Sequence, residues 1–113
     1  GYSESGVVEV WTQGADGTFV RSSEASLGHR IDALQIGDLD GDGAPDLLVA
    51  SHWPNTPNGR LHILWNDDGA ASRWTALGAA FSLTTEALLD ADGDGDLDVV
   101  AGYNPGELRL LRN

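Results

Sequence analysis

The sequence predicts an all-β chain made of repeated four-stranded units, the pattern of β-propeller blades, with about two blades of a larger ring present. Three observations carry this. The run "DLDGDGAPD" at residues 38 to 46 returns as "DADGDGDLD" at residues 90 to 98, a displacement of 52 residues. Its flanks return with it, so that "ALQIGDLDGDGAPDLLVASHW" stands against "EALLDADGDGDLDVVAGY". The apolar runs are short, rich in aliphatic and β-branched residues and bounded by Gly, Asn, Asp and Pro clusters.

Taken in order, the elements fall into three units. Residues 1–29 form the end of one blade, 30–83 a complete blade and 84–113 most of a third unit. "VVEVW" at 7–11, "LHILW" at 61–65 and "LRLLR" at 108–112 occupy one place in the unit, and "DLLVA" and "LDVVA" read as the strands that follow the acidic runs. "GTFVRSSEAS" favours a strand, and its counterpart "GAASRWTALGAAF" is read the same way, as the fourth strand of a unit, because no capped amphipathic helix is offered. Even the pair "GY" recurs, at Gly1 and Tyr2 and at Gly102 and Tyr103. Two blades leave open faces and strand edges, so a homo-oligomer or a longer propeller chain is expected.

Composition bounds the partners. The formal net charge is −12 with six Lys and Arg residues, which argues against nucleic acid or an anionic membrane surface. No run is long and apolar enough for membrane insertion, and cysteine is absent, which removes disulfides and thiolate metal sites. The chain opens without methionine and reads as processed or excised from something longer.

The acid is concentrated. Nine of the eighteen Asp and Glu residues lie in the two loops, and two divalent cations would lower the formal charge from −12 to −8. Carboxylates this close repel one another, and a hard cation removes the conflict. Calcium takes about 6 to 8 oxygen ligands at roughly 2.3 to 2.6 Å, and a loop with ligands at positions 1, 3, 5, 7 and 9 wraps it if position 6 is a turning glycine. In the first loop Asp38, Asp40 and Asp42 are the expected side-chain ligands, Gly43 the turn, Ala44 a carbonyl donor and Asp46 the closing ligand. In the second, Asp90, Asp92 and Asp94 lead, Gly95 turns, Asp96 gives its carbonyl and Asp98 closes. Two Ca²⁺ sites are therefore expected. Magnesium is disfavoured by its demand for octahedral geometry, and zinc by the lack of His or Cys. An EF-hand is excluded at position 12, which needs a bidentate Glu and holds Val49 in one loop and Ala101 in the other.

"DLDGDGAPDLLVA", "LHILWNDDG" and "VWTQGADGTF" together resemble the FG-GAP and VCBS repeats of calcium-binding β-propellers, which occur in integrin α-chain heads, bacterial surface proteins and some fungal and bacterial lectins. The resemblance spans nearly the whole chain. It implies an acidic loop between the first and second strands of each blade, calcium ligation by the aspartates already named, and an extracellular or cell-surface setting. Family rings hold about seven blades, more than two acidic loops supply.

A ligand site is sought on the loops, where rigid scaffolds concentrate binding. Trp11 and Trp65, equivalent in the repeat, are expected to pack between blades. Trp53 in "SHWPNTPNG" and Tyr103 in "GYNPGE" each precede a Pro and Asn turn, and Tyr2 occupies the matching place. Either ring is expected to stack on a sugar, with His52, Asn55 and Asn104 fixing hydroxyls. No catalytic set is expected: Ser51 and His52 are adjacent on a strand and point to opposite faces, and Asp32 near His29 lacks a nucleophile. The expectation is a calcium-stabilised binding module, a carbohydrate-binding lectin first, with cell adhesion through a cell-surface protein, or a non-catalytic part of a propeller lyase, as alternatives.

Overall fold

The computed structural model describes residues 6–52, 58–67, 70–81 and 83–113. Every regular element among them is a β-strand. The strands are β1 (Val7–Gln13), β2 (Phe19–Ser26), β3 (Arg30–Gly37), β4 (Asp46–His52), β5 (Asn58–Asp67), β6 (Ala70–Phe81), β7 (Leu83–Leu89), β8 (Asp98–Tyr103) and β9 (Glu107–Leu111). They form three antiparallel meanders: a two-stranded sheet β1-β2, a four-stranded sheet β3-β4-β5-β6 and a three-stranded sheet β7-β8-β9. The third sheet takes in Leu83, which pairs with Tyr103, so it begins one residue before the boundary expected at 84.

The middle of the second sheet, β4 with the centre of β5, is buried on both faces, and the sequence of β4 explains how. "DLLVASH" is apolar at successive rather than alternate positions, the pattern of a strand with no solvated side. Leu48 and Ala50 join Leu61 and Ile63 of β5 in one cluster with Val99, Ala101 and Tyr103 of the third sheet. Val49 and Leu64 point the other way and meet Val8 of the first sheet. Three meanders stacked face to face in chain order are propeller blades.

Gly37, the last residue of β3, lies against the third sheet. A side chain there would meet Leu97 Cδ1 at 2.7 Å and Leu88 Cδ1 at 2.9 Å.

The two tryptophans expected between blades part company. Trp65 is half-buried against the core shared with the third sheet and donates its indole N–H to Thr75 Oγ1 at 2.8 Å, with the Arg73 guanidinium 5.0 Å from the ring centre. Trp11 is 53 % exposed and donates to Glu9 instead. On β1 the apolar alternation is Val8 and Val10, whereas the Trp11 face also carries Glu9, ion-paired with Arg21 at 3.0 Å. Burying that charge would cost more than the indole returns, so Val8 and Val10 take the interface.

Candidate metal centres

Both acidic loops sit at the same place, joining the first strand of a sheet to its second: residues 38–45 link β3 to β4, and residues 90–97 link β7 to β8. Each loop is coiled by its own carboxylates accepting main-chain N–H groups. Asp38 accepts from Gly41 at 2.8 Å and Gly43 at 3.0 Å, Asp40 from Asp42 at 3.2 Å, and Asp42 from Ala44 at 2.7 Å. Asp90 accepts from Gly93 at 2.6 Å, Asp94 at 3.1 Å and Gly95 at 3.0 Å, and Asp94 from Asp96 at 3.0 Å. Gly43 at φ 89° and Gly95 at φ 102° make the sharp turn in a region closed to ordinary side chains.

This winding brings one carboxylate oxygen each from Asp38, Asp40 and Asp42 within 4.8 Å of one another, and likewise from Asp90, Asp92 and Asp94. Desolvation holds the Asp40 carboxyl above its ordinary range, against the Asp42 N–H, and the charges of Asp42, Asp46 and Asp38 push the same way. In the second loop, Arg112 reaches Asp92 at 3.8 Å. The donors are all hard oxygens, which suits an alkaline-earth cation rather than zinc or copper.

Asp46 and Asp98 stand apart from these triads. Asp46 is 1 % exposed; its two oxygens accept from Leu39 N at 2.8 Å and Asn66 N at 2.9 Å. Asp98, 2 % exposed, accepts from Ala91 N at 3.0 Å and Asn113 N at 2.9 Å, and these N–H groups, with Arg112, hold its carboxyl below the usual range. Each stitches its loop to the start of the second strand and to the end of the third. A carboxylate oxygen has two lone pairs, so this bracing leaves acceptor capacity on both carboxylates. Val49 and Ala101, where an EF-hand would carry its Glu, are fully buried core residues.

The FG-GAP-like repeat profile matches residues 2–49 and again residues 38–101, and the second match contains both acidic loops. The chain belongs to the FG-GAP-like repeat family. Comparison with curated proteins and with solved structures gave no match. Within the FG-GAP-like frame the second sheet is a whole blade, and the first and third sheets are parts of two more.

The described members of the expected ligand set, His52, Tyr103 and Asn104, lie near the opposite ends of the second strands. Trp53 and Asn55 fall outside the described residues, as does Tyr2. His52 ends β4, partly exposed, with its Nδ1 bonded to Asp32, which also pairs with Arg30 at 3.3 Å. Glu86 on β7 is 8 % exposed, and burial, aided by the Asp32 charge, pushes its carboxyl above the usual range. Asn104 is exposed in the turn after β8. Tyr103 corrects the expectation: it is 8 % exposed within the core between the second and third sheets, with the Arg109 guanidinium 5.3 Å from its ring centre, so the ring is not available to stack on a sugar.

Cross-strand pairing makes two contacts that sequence adjacency hides. Ser51 bonds His62 at 3.1 Å, and Asp32 bonds His52. Ser51 and His62 share a face because they stand diagonally across β4 and β5, where Ser51 pairs with Arg60 and Val49 with His62. Ser51 is 1 % exposed, so the pair fills a sheet interface rather than meeting a substrate.

Proposed function

We propose that this FG-GAP-like propeller module binds Ca²⁺ in both acidic loops and uses the stiffened blades to present a carbohydrate-binding rim outside the cell or at its surface. The observation that carries the calcium reading is the convergence of three carboxylates in each of two loops at equivalent positions of the repeat. Asp38, Asp40 and Asp42 would hold one ion and Asp90, Asp92 and Asp94 the other, with the Ala44 and Asp96 carbonyls and the braces Asp46 and Asp98 completing an oxygen shell. The ion supplies fixed positive charge; the chain's own N–H groups already orient the carboxylates toward it.

The sugar reading rests on the rim at the blade cleft. There His52, Asp32 and Arg30 offer donors and acceptors at the end of the second strand of one sheet, and Asn104 does so in the turn after the second strand of the next. Trp53 is the remaining aromatic for stacking on a sugar's apolar face, and Asn55 a further amide. Binding rather than catalysis follows from chemistry: the loop carboxylates are committed to a cation, and the Ser51 and His62 pair is buried. Weak sites repeated around a ring gain avidity without new contacts. A glycan array with calcium present tests this reading, with Trp53→Ala as the control that should lose binding. A blank array alongside capture of a cell-surface protein would replace the lectin by an adhesion module.

A further inference from the structure

The two acidic loops differ by one cation, and the braces behind them show where it stands. Asp46 takes the main-chain N–H of Asn66 and Asp98 takes that of Asn113, so these two asparagines occupy equivalent positions of the second and third sheets. The residues before them correspond as well: Trp65 in the second sheet, Arg112 in the third. Trp65 is neutral, packs on the core shared with the third sheet and gives its N–H to Thr75. Arg112 reaches the loop instead. Its Nη1 lies 3.8 Å from an Asp92 carboxylate oxygen, and its side chain is 67 % exposed. Among the described residues no basic side chain pairs with Asp38, Asp40 or Asp42 of the first loop.

The extra cation matches an extra acid. The second loop has Asp96 where the first has Ala44, five carboxylates against four, and Arg112 cancels the excess. The shape of the second loop is set without Arg112, because Asp90 accepts the N–H groups of Gly93, Asp94 and Gly95 and Asp94 accepts that of Asp96. What Arg112 adds is charge. Its field extends to Asp98, whose carboxyl is lowered first by the Asn113 and Ala91 N–H groups and then by the guanidinium. Asp92 is one of the three carboxylates that converge in this loop, so a divalent cation there and Arg112 compete for its charge and repel one another. Exposed ion pairs are weak, so the competition shifts an affinity by a small factor and does not block the site.

We propose that Arg112 is the resident counter-ion of the second acidic loop: it offsets the carboxylates while no metal is bound, yields Asp92 as a divalent cation enters, and so holds that loop's calcium affinity below what its carboxylates alone would give. The proposal rests on the reading of both loops as calcium sites. The penalty that Arg112 places on calcium fades as salt screens it, over a Debye length of about 10 Å at 0.1 M and about 3 Å at 1 M. The first loop, with Trp65 in that place, carries no such penalty.

Calorimetric titration of the 113-residue chain with Ca²⁺ tests this in two backgrounds that leave one loop each, Asp40→Asn for the second and Asp92→Asn for the first. In the Asp40→Asn chain, Arg112→Gln should tighten the remaining site about twofold to fivefold at about 0.1 M salt, and by less at about 1 M. Arg112→Lys keeps the charge and should stay near the parent value. In the Asp92→Asn chain, Arg112→Gln should leave the first site unchanged. Without calcium the Arg112→Gln chain should melt below the parent, and saturating calcium should close that gap. The side chain is exposed, so an unchanged circular dichroism spectrum verifies the fold. Calcium binding at the second loop that Arg112→Gln leaves unchanged or weakens, an equal gain from Arg112→Lys, or an equal gain at the first loop would overturn the proposal while leaving the calcium reading in place. No calcium binding in either background would overturn both.

Discussion

Asp46 and Asn66 are 20 residues apart in sequence, and the carboxylate of the first accepts the main-chain N–H of the second at 2.9 Å. With its other oxygen on Leu39 N, Asp46 ties the start of β4 to the acidic loop and to the end of β5. Asp46→Ala leaves the buried N–H of Leu39 and the half-buried N–H of Asn66 without an acceptor, and each such loss costs about 1 to 3 kcal/mol. The expected outcome is destabilisation of about 2 to 4 kcal/mol by urea unfolding in calcium-free buffer, whereas Asp40→Ala, exposed and bound only to its own loop, should cost far less under the same conditions.

The brace shows how far the sequence could be read. The strands, their grouping and the aspartate triads are legible because each depends on local spacing: a doubly apolar run for β4, a glycine at the turn, alternate carboxylates around it. The second role of Asp46 and Asp98 is not legible, because their partners Asn66 and Asn113 arrive only when the third strand folds back. The Ser51 and His62 contact is hidden for the same reason. Tyr103 misled because an aromatic beside a Pro and Asn turn looks alike in sequence whether its ring faces solvent or a neighbouring sheet. Trp11 misled because repeat equivalence says nothing of Glu9, whose charge turns that face outward.

Glu86 predicts a pH dependence. Burial, and secondarily Asp32, raise its folded-state pKa above the unfolded value near 4.5. The folded state therefore holds that proton more tightly, and the associated stability is fully present below the unfolded pKa and is lost as pH rises through the folded one. Glu86→Gln should raise the melting temperature at pH 7 and leave it nearly unchanged at pH 3.5, roughly a unit below the unfolded pKa. Thermal melts of both proteins at the two values check this.

His62 acts in the opposite direction on the pH axis. Burial first, then the charges of His29 and Arg60, depress its pKa below 6.5, so its contribution is present above pH 6.5 and is lost as pH falls toward the folded value. Urea titrations at pH 7.5 and 5.5 should show a smaller loss of stability for His62→Gln than for the parent.

Gly37 reports on the contact between blades. Gly37→Val places methyl groups where Leu88 and Leu97 already stand, and overpacking of this kind costs about 1 to 3 kcal/mol. Trimming Leu97 to alanine in the same chain should recover part of that loss, a compensation readable as a non-additive double-mutant cycle.

The two acidic loops as calcium sites are the centre of the account, and calorimetric titration of the 113-residue chain with Ca²⁺ tests them most directly. The account predicts two bound ions, reduced to one by Asp40→Asn and, separately, to one by Asp92→Asn, with about 1.4 kcal/mol of stabilisation per site at ten times the dissociation constant. Absence of calcium binding by the folded chain, or a stoichiometry of two that survives both substitutions together, would contradict it.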